Sequence, residues 1–313
     1  MRKQVLFILS LFLAINLHAE NKFVIEGRVA NVPDGLIVEL LRNEDNVGML
    51  VASDTLRNGK FRFEEETSGN GTDWMFLTAR TENYYSMILY LWVRPGSSIR
   101  ISADNLLVYT WNVESDVPEQ QTRSKILASS RDLWNEYQIL DGDYDSLRSR
   151  IKSGKYSGEE KKRQKARLDS MKQAKSMLQD RISAVELEAM AKLDVDQAWM
   201  LNYVNTAYMV NISKNKDNLE KAKALYAYIP DVWRDSYSGR EAKNVLFPQH
   251  VVEVGEEAAD ADLYDIDGKL WHLSDFRGRY VLIDFWSRGC GPCKMAIPEI
   301  KEAADKYKDR LVA

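Results

Sequence analysis

Tyr280-Val281-Leu282-Ile283-Asp284-Phe285-Trp286-Ser287-Arg288-Gly289-Cys290-Gly291-Pro292-Cys293 is the stretch on which the reading of this chain turns. Tyr280 to Trp286 is apolar and β-branched enough for a central strand buried on both faces. The two cysteines follow at once. Lys294 to Lys308 then reads as a helix, with Ile297, Ile300 and Ala304 at helical spacing. A strand that ends in Cys-Gly-Pro-Cys and turns into a helix places the first sulfur at a helix N-terminus. Free backbone N–H groups and the helix dipole stabilise a thiolate there and lower its pKa below the ~8.5 of a free thiol. Cys290 is therefore expected to be exposed and nucleophilic. Cys293, one turn on and facing inward, is placed to resolve the mixed disulfide that Cys290 forms. Pro292 suits the first helical turn, where no N–H partner is lost. Arg288 either depresses the thiol pKa further or is a solvated surface residue, and the sequence leaves both readings open.

These are the only two cysteines in 313 residues, so no disulfide framework exists beyond the pair. Covalent haem needs a histidine after the second cysteine, and Lys294 stands there. Zinc needs two further ligands, and outside the N-terminal segment only His250 and His272 offer themselves, at no recognised spacing. A purely structural disulfide closing so short a loop adds little stability. Redox chemistry is the reading that remains strongest, with no metal and no cofactor expected.

Upstream of the motif, Ala261 to Asp265, the turn Asp267-Gly268, then Leu270 and His272 suggest a β-hairpin, with Ser274 to Gly278 as a connecting turn. Residues 22–118 read as β-rich. Phe23, Ile25 and Val29 share one face, Leu36, Val38 and Leu40 repeat the alternation, and Asn58-Gly59 is a tight-turn signal followed by Phe61 and Phe63. Met87 to Val93 is a continuous apolar run. Short strands at regular spacing argue for a β-sandwich. Residues 123–247 read as helical. Ile126, Leu133, Tyr137, Leu140, Leu147 and Ile151 fall at heptad-like spacing interrupted by Gly142. Ser157 with Glu160 forms a capping box for a second helix bearing Leu168, Met171, Leu178, Ile182 and Val185, and a third is expected from Asp194 with Trp199, Tyr203 and Tyr208. The run Lys161-Lys162-Arg163, flanked by Glu159, Glu160 and Asp169, reads as a solvated helix face. With a formal net charge of −4, it gives no reason to expect a nucleic-acid partner.

Residues 1–19 read as a cleaved secretory signal: Arg2 and Lys3, an apolar run from Val5 to Leu17, and a small residue, Ala19, before Glu20. A permanent anchor is the alternative, though the run is well short of the ~20 residues that span a bilayer. Export implies a compartment where disulfides persist, here the periplasm.

Val281 to Lys294 resembles the active-site segment of thioredoxins. Asp267-Gly268-Lys269 and Leu273 to Gly278 resemble the TlpA/ResA-type exported branch of that superfamily. The stretch Asn58 to Phe63 resembles the β-sandwich domain that precedes thioredoxin domains in many exported bacterial proteins. The resemblance implies that Asp284 is a buried carboxylate assisting proton transfer at the second cysteine, that Trp286 packs beside the site, and that Pro298 kinks the active-site helix. Gly289 departs from the tryptophan usual at its position. No proline follows Pro298, so residues 252–313 are expected to form a thioredoxin-like domain truncated before the cis-proline loop. The expectation is a multidomain α+β chain: an N-terminal β-sandwich, a helical middle region and an incomplete C-terminal thioredoxin-like α/β domain. The implied activity is reduction of protein disulfides, with protein thiols and disulfides as substrates and a membrane electron-transfer partner. A thiol peroxidase is the first alternative: Ser287 mimics the threonine of the peroxidase pattern, but Ile283 occupies its proline position. A binding or scaffold protein with a vestigial redox domain is the second.

Overall fold

Asn58 and Gly59 both take positive φ, 50° and 67°. That pair of angles makes a tight turn, closed by an antiparallel bridge between Arg57 and Lys60. A side chain at Gly59 would meet the Val29 carbonyl oxygen at 2.6 Å, so the turn also needs glycine for space. The computed structural model describes residues 21–44, 47–82, 84–248, 252–287 and 290–313. The expected signal segment, Arg288, Gly289 and His250 lie outside those residues. Two compact units are present. The first runs through Gly48–Pro248 and includes the residues up to Glu44; the second is the C-terminal part, Gln249–Ala313.

In the first unit, β1 (Lys22–Val29), β4 (Lys60–Glu66), β8 (Ser98–Ala103) and β9 (Asn112–Glu114) form a sheet in the order β4-β1-β8-β9. A second sheet holds β2 (Ile37–Glu44), β3 (Val47–Thr55), β5 (Asp73–Thr81), β6 (Tyr84–Tyr85) and β7 (Leu89–Val93), in the order β3-β2-β5, with β6 and β7 both pairing with β5. The alternating residues Phe23, Ile25, Val38, Leu40, Phe61, Phe63, Ile99 and Ile101 meet in one buried cluster between the sheets. This is the sandwich anticipated from the period-two pattern.

Strand β7 explains the continuous apolar run. Leu89, Leu91 and Val93 face the sandwich core. Tyr90 turns to a cluster with Tyr109, Leu127, Trp134 and Ile182, and Trp92 to one with Val117 and Ala198. The second face is covered by helices, so both faces are apolar. Helix α1 (Pro118–Lys152) also satisfies the strand's backbone: the buried Gln120 carboxamide oxygen accepts from Trp92 N at 2.9 Å. The β-rich and helical regions therefore lie within one compact unit.

Helix α1 runs through Gly142 without a break, because its other positions pack against α2 (Gly158–Met190) and outweigh the roughly 1 kcal/mol preference against one glycine. The pair is antiparallel: Asp141 meets Lys175, Glu136 meets Arg181, and Ser130 meets Glu186. Ser157 is the N-cap of α2 but accepts no capping bond. Glu160 instead takes Arg163 and Gln164, so the expected capping box is not formed. Helix α3 (Gln197–Ser213) begins three residues later than the Asp194 expected, because Asp196 is the cap that accepts from Trp199 N at 2.8 Å. Trp199 and Tyr203 stack at 5.0 Å in a buried cluster, whereas Tyr208 is exposed and donates to Glu241. Helices α4 (Lys216–Tyr226), α5 (Asp231–Arg234) and α6 (Tyr237–Leu246) complete this unit. Among the described residues no helix is long and apolar enough to cross a membrane.

In the second unit, β10 (Leu263–Tyr264) and β11 (Leu270–Trp271) form the anticipated antiparallel hairpin. The Asp265 carboxylate organises its turn, accepting from Asp267 N at 3.0 Å, Lys269 N at 2.9 Å and Trp271 Nε1 at 3.0 Å. Strand β12 (Tyr280–Val281), helix α7 (Gly291–Lys306) and β13 (Leu311–Val312) follow, and β12 pairs with β13 in parallel. Arg279 Nη2 ties the two strands, donating to the carbonyls of Lys308 at 2.8 Å and Leu311 at 3.0 Å. The expected buried central strand is not found. Only its first two residues pair as a strand, extended by one bond from Leu282 N to Val312 O. Ile283, Phe285 and Trp286 are 51, 87 and 60 % exposed. The physical reason is direct: among the described residues β12 has one strand neighbour, and nothing covers the segment after it.

Candidate active site

Ser287 O accepts from Cys290 N at 3.0 Å, and this bond turns the chain into α7. Cys290 is the N-cap of that helix. Its backbone is extended, and its Sγ takes the place that a serine or aspartate oxygen usually holds, accepting from Cys293 N at 3.2 Å. The next backbone bond, Lys294 N to Cys290 O at 3.1 Å, closes the first turn. Pro292 sits in that turn and Pro298 lies inside the helix. Because Pro298 has no N–H, the Lys294 carbonyl lacks its usual intrahelical donor.

Cys290 and Cys293 are joined as a disulfide, with Cα atoms 5.3 Å apart. The structure is therefore the oxidised form of the pair. No acidic residue occupies the first turn of α7. When the bond opens, the charge released at Cys290 Sγ meets an N–H donor already in place, at the positive end of a 16-residue helix and free of neighbouring first-turn carboxylates. A side chain at Gly291 would meet nothing within 4 Å, so packing does not demand glycine between the cysteines.

Two sequence expectations change here. Both cysteines are half-buried, so exposure does not distinguish them; of the two, Cys290 Sγ receives the capping bond. Asp284 is exposed and has no hydrogen-bond or ion-pair partner among the described residues, so it is not the buried carboxylate that the resemblance implied. It lies in the uncovered segment after β12, where no neighbouring layer removes it from water. Trp286, in the same segment, makes no ring contact among the described residues. The structure thus gathers Cys290, Pro292 and Cys293 on one turn, places Pro298 further along the same helix, and among the described residues gives Asp284 and Trp286 no hydrogen bond or ring contact to them. The reading of the sequence did not foresee the Ser287 carbonyl or the Arg279 clasp. Neither has a signature beyond its residue type.

A strand, a Cys-Gly-Pro-Cys helix cap and a returning parallel strand define a thioredoxin-like class of unit, and residues 254–313 match the AhpC/TSA family. The particular likeness is to thiol-disulfide oxidoreductase ResA: that of Bacillus thuringiensis subsp. konkukian is 38% identical over 61 residues, 20% of this chain and 35% of the relative. The thioredoxin-like protein YneN of Bacillus subtilis is 32% identical over 60 residues, 19% of this chain and 35% of the relative. A thioredoxin of Acidithiobacillus ferridurans is 61% identical over 31 residues, 10% of this chain and 29% of the relative. The chain spans about a third of the length of the ResA and YneN relatives. No solved structure matches it.

Proposed function

We propose that this chain is an exported thiol–disulfide oxidoreductase that reduces protein disulfides through Cys290 and Cys293. The observation that carries the reading is the N–H of Cys293 directed at Cys290 Sγ on the first turn of α7. In the reduced form, the Cys290 thiolate attacks one sulfur of a substrate disulfide. A mixed disulfide forms and one substrate thiolate leaves, to be protonated by solvent. The Cys293 thiolate then attacks Cys290 Sγ, the mixed bond breaks, and the second substrate thiolate departs. Two electrons have passed to the substrate, and the pair is left as the disulfide seen here. Return to the dithiol needs a two-electron donor, for which a membrane electron-transfer partner is proposed. Gly291-Pro292 supports the reducing direction: that dipeptide belongs to thioredoxins with potentials near about −270 mV rather than to oxidants near about −120 mV. Export rests on the basic and apolar N-terminal segment.

The test is a trapping pair. Cys293→Ser should accumulate substrates as mixed disulfides on Cys290, and Cys290→Ser should trap almost none. The reverse pattern would refute the assignment of roles. A potential measured against glutathione nearer the strong oxidants would replace reduction by disulfide donation.

A further inference from the structure

Arg123 is 2 % exposed on the inner face of α1. Its Nη1 donates to Asn202 Oδ1 at 2.7 Å, and its guanidinium lies 5.1 Å from the ring centre of Tyr109 and 5.6 Å from that of Tyr90. Nε and Nη2 are buried and have no acceptor in good hydrogen-bonding geometry, although the Tyr109 hydroxyl also acts on the guanidinium as a hydrogen-bonding side chain. No carboxylate forms an ion pair with Arg123 among the described residues. Glu186 is near enough to act on its charge, but Glu186 Oε1 takes Ser130 Oγ and Trp134 Nε1, each at 2.7 Å. A guanidinium cannot shed its proton to escape burial. The faces of two tyrosines compensate part of its lost hydration, but an aromatic face does not replace acceptors for two in-plane N–H groups.

Those two nitrogens share one edge of the guanidinium fork, the edge that makes parallel bonds to the two oxygens of a carboxylate. Arg123 is one of the residues around a cavity of about 300 Å³ that Tyr90, Tyr109, Trp134, Glu186 and Met209 also line. Its floor is buried: Tyr109 and Trp134 pack with ring centres 4.4 Å apart beside Arg123. Its rim is open, because Asn205 and Met209 on α3 are exposed. An aromatic-walled cavity with a few converging polar groups is the usual form of a small-ligand site, and this volume lies at the small end of the range; of the two charged groups that line it, Glu186 is engaged by Ser130 and Trp134.

We propose that this cavity binds a small aromatic carboxylic acid, its carboxylate bridging Arg123 Nε and Nη2 and its ring packed among Tyr90, Tyr109 and Trp134. The site belongs to the first unit and uses neither cysteine. Ordered water is the competing occupant, since water also satisfies donors in polar cavities.

The experiment is calorimetric titration of the full chain with phenylacetate, with phenylacetamide as the neutral probe and a tripeptide ending in a free phenylalanine carboxylate as the larger one. Phenylacetate is expected to bind saturably in the sub-millimolar range. Phenylacetamide should bind at least about tenfold more weakly, because it offers one acceptor oxygen in place of two. Arg123→Lys, which keeps the charge and loses the fork, should weaken phenylacetate similarly. Met209→Trp, at the exposed rim and away from the core, should do so by narrowing the mouth even if the Arg123 variant fails to fold. Equal binding of acid and amide, no saturation by phenylacetate at millimolar concentration, binding of the tripeptide alone, or unchanged affinity in Met209→Trp would each overturn the proposal.

Discussion

The two units of this chain spend their apolar residues differently. In the first, side chains from both sheets and from α1 to α3 close into contiguous buried clusters. In the second, no residue of α7 is fully buried, and the apolar segment after β12 lies open to water. Yet the recognisable chemistry is in the second unit. The comparison separates two kinds of information. A redox helix cap needs only a turn, a cysteine and a free N–H, all set by local sequence. A buried strand needs neighbouring layers. The motif can therefore be formed where the core is not.

The sharpest way to break that comparison is proteolysis. Unfolding free energy varies along a chain with its density of buried apolar contacts, and cleavage follows local opening. Brief digestion with a protease of broad specificity should cut within residues 252–313 at least about 100-fold faster than within residues 48–248, leaving the first unit as a stable fragment. Equal resistance along the chain would show that the second unit is held as firmly as the first. Hydrogen exchange followed by mass spectrometry should rank the same segments in the same order.

Core substitutions sharpen it further. Leu91 is wholly buried between the sheets, so Leu91→Ala leaves a cavity and should cost about 2–5 kcal/mol of first-unit stability in urea unfolding. Ile283 is half exposed in the segment after β12, and Ile283→Ala should change second-unit exchange by an amount equivalent to about 0.5 kcal/mol or less. A cost at Ile283 approaching that at Leu91 would mean that the open segment is covered in solution.

What the sequence revealed follows the same division. The β-sandwich was legible because Phe23 and Ile25 alternate on one strand, and Phe61 and Phe63 alternate on another directly after the turn signal Asn58-Gly59. The cysteine pair, Pro292 and the hairpin at Asp267-Gly268 were legible because each is a local signal. Burial of Asp284 and of the strand through Trp286 was inferred from composition and resemblance, and burial depends on what packs above, which composition does not encode. Gly142 misled in the other direction, since the partner helix outweighs local propensity. Arg123 carried a signal that was passed over: it falls at a helical interval from Ile126, Leu127 and Ser130, so a charge stands on a face that is otherwise buried.

The smallest expected effect compares two indoles, one in each unit, each bonded to a carboxylate. In the second unit, Trp271 Nε1 donates to Asp265, and that bond, followed by the backbone N–H of Lys269, holds the Asp265 carboxyl below the usual aspartate range. In the first unit, Trp134 Nε1 donates to Glu186, where burial pushes the carboxyl up, opposed by the Arg123 charge and by the bonds from Trp134 and Ser130. The linkage signs are opposite. Asp265 contributes stability that is present above the pKa it has in the unfolded chain and is lost as pH falls through its depressed folded value. Glu186 contributes stability that is complete below its unfolded pKa and is lost as pH rises through its elevated folded value. Each indole N–H resonance should therefore titrate with its own carboxyl in an NMR series: that of Trp271 with a midpoint below the ordinary aspartate value, that of Trp134 with a midpoint above the ordinary glutamate value. Asp265→Asn should abolish the Trp271 titration and leave that of Trp134 in place. A Trp134 midpoint below the ordinary glutamate value would mean that pairing with Arg123 outweighs burial, and that the guanidinium is less in need of an acceptor than its two free nitrogens indicate.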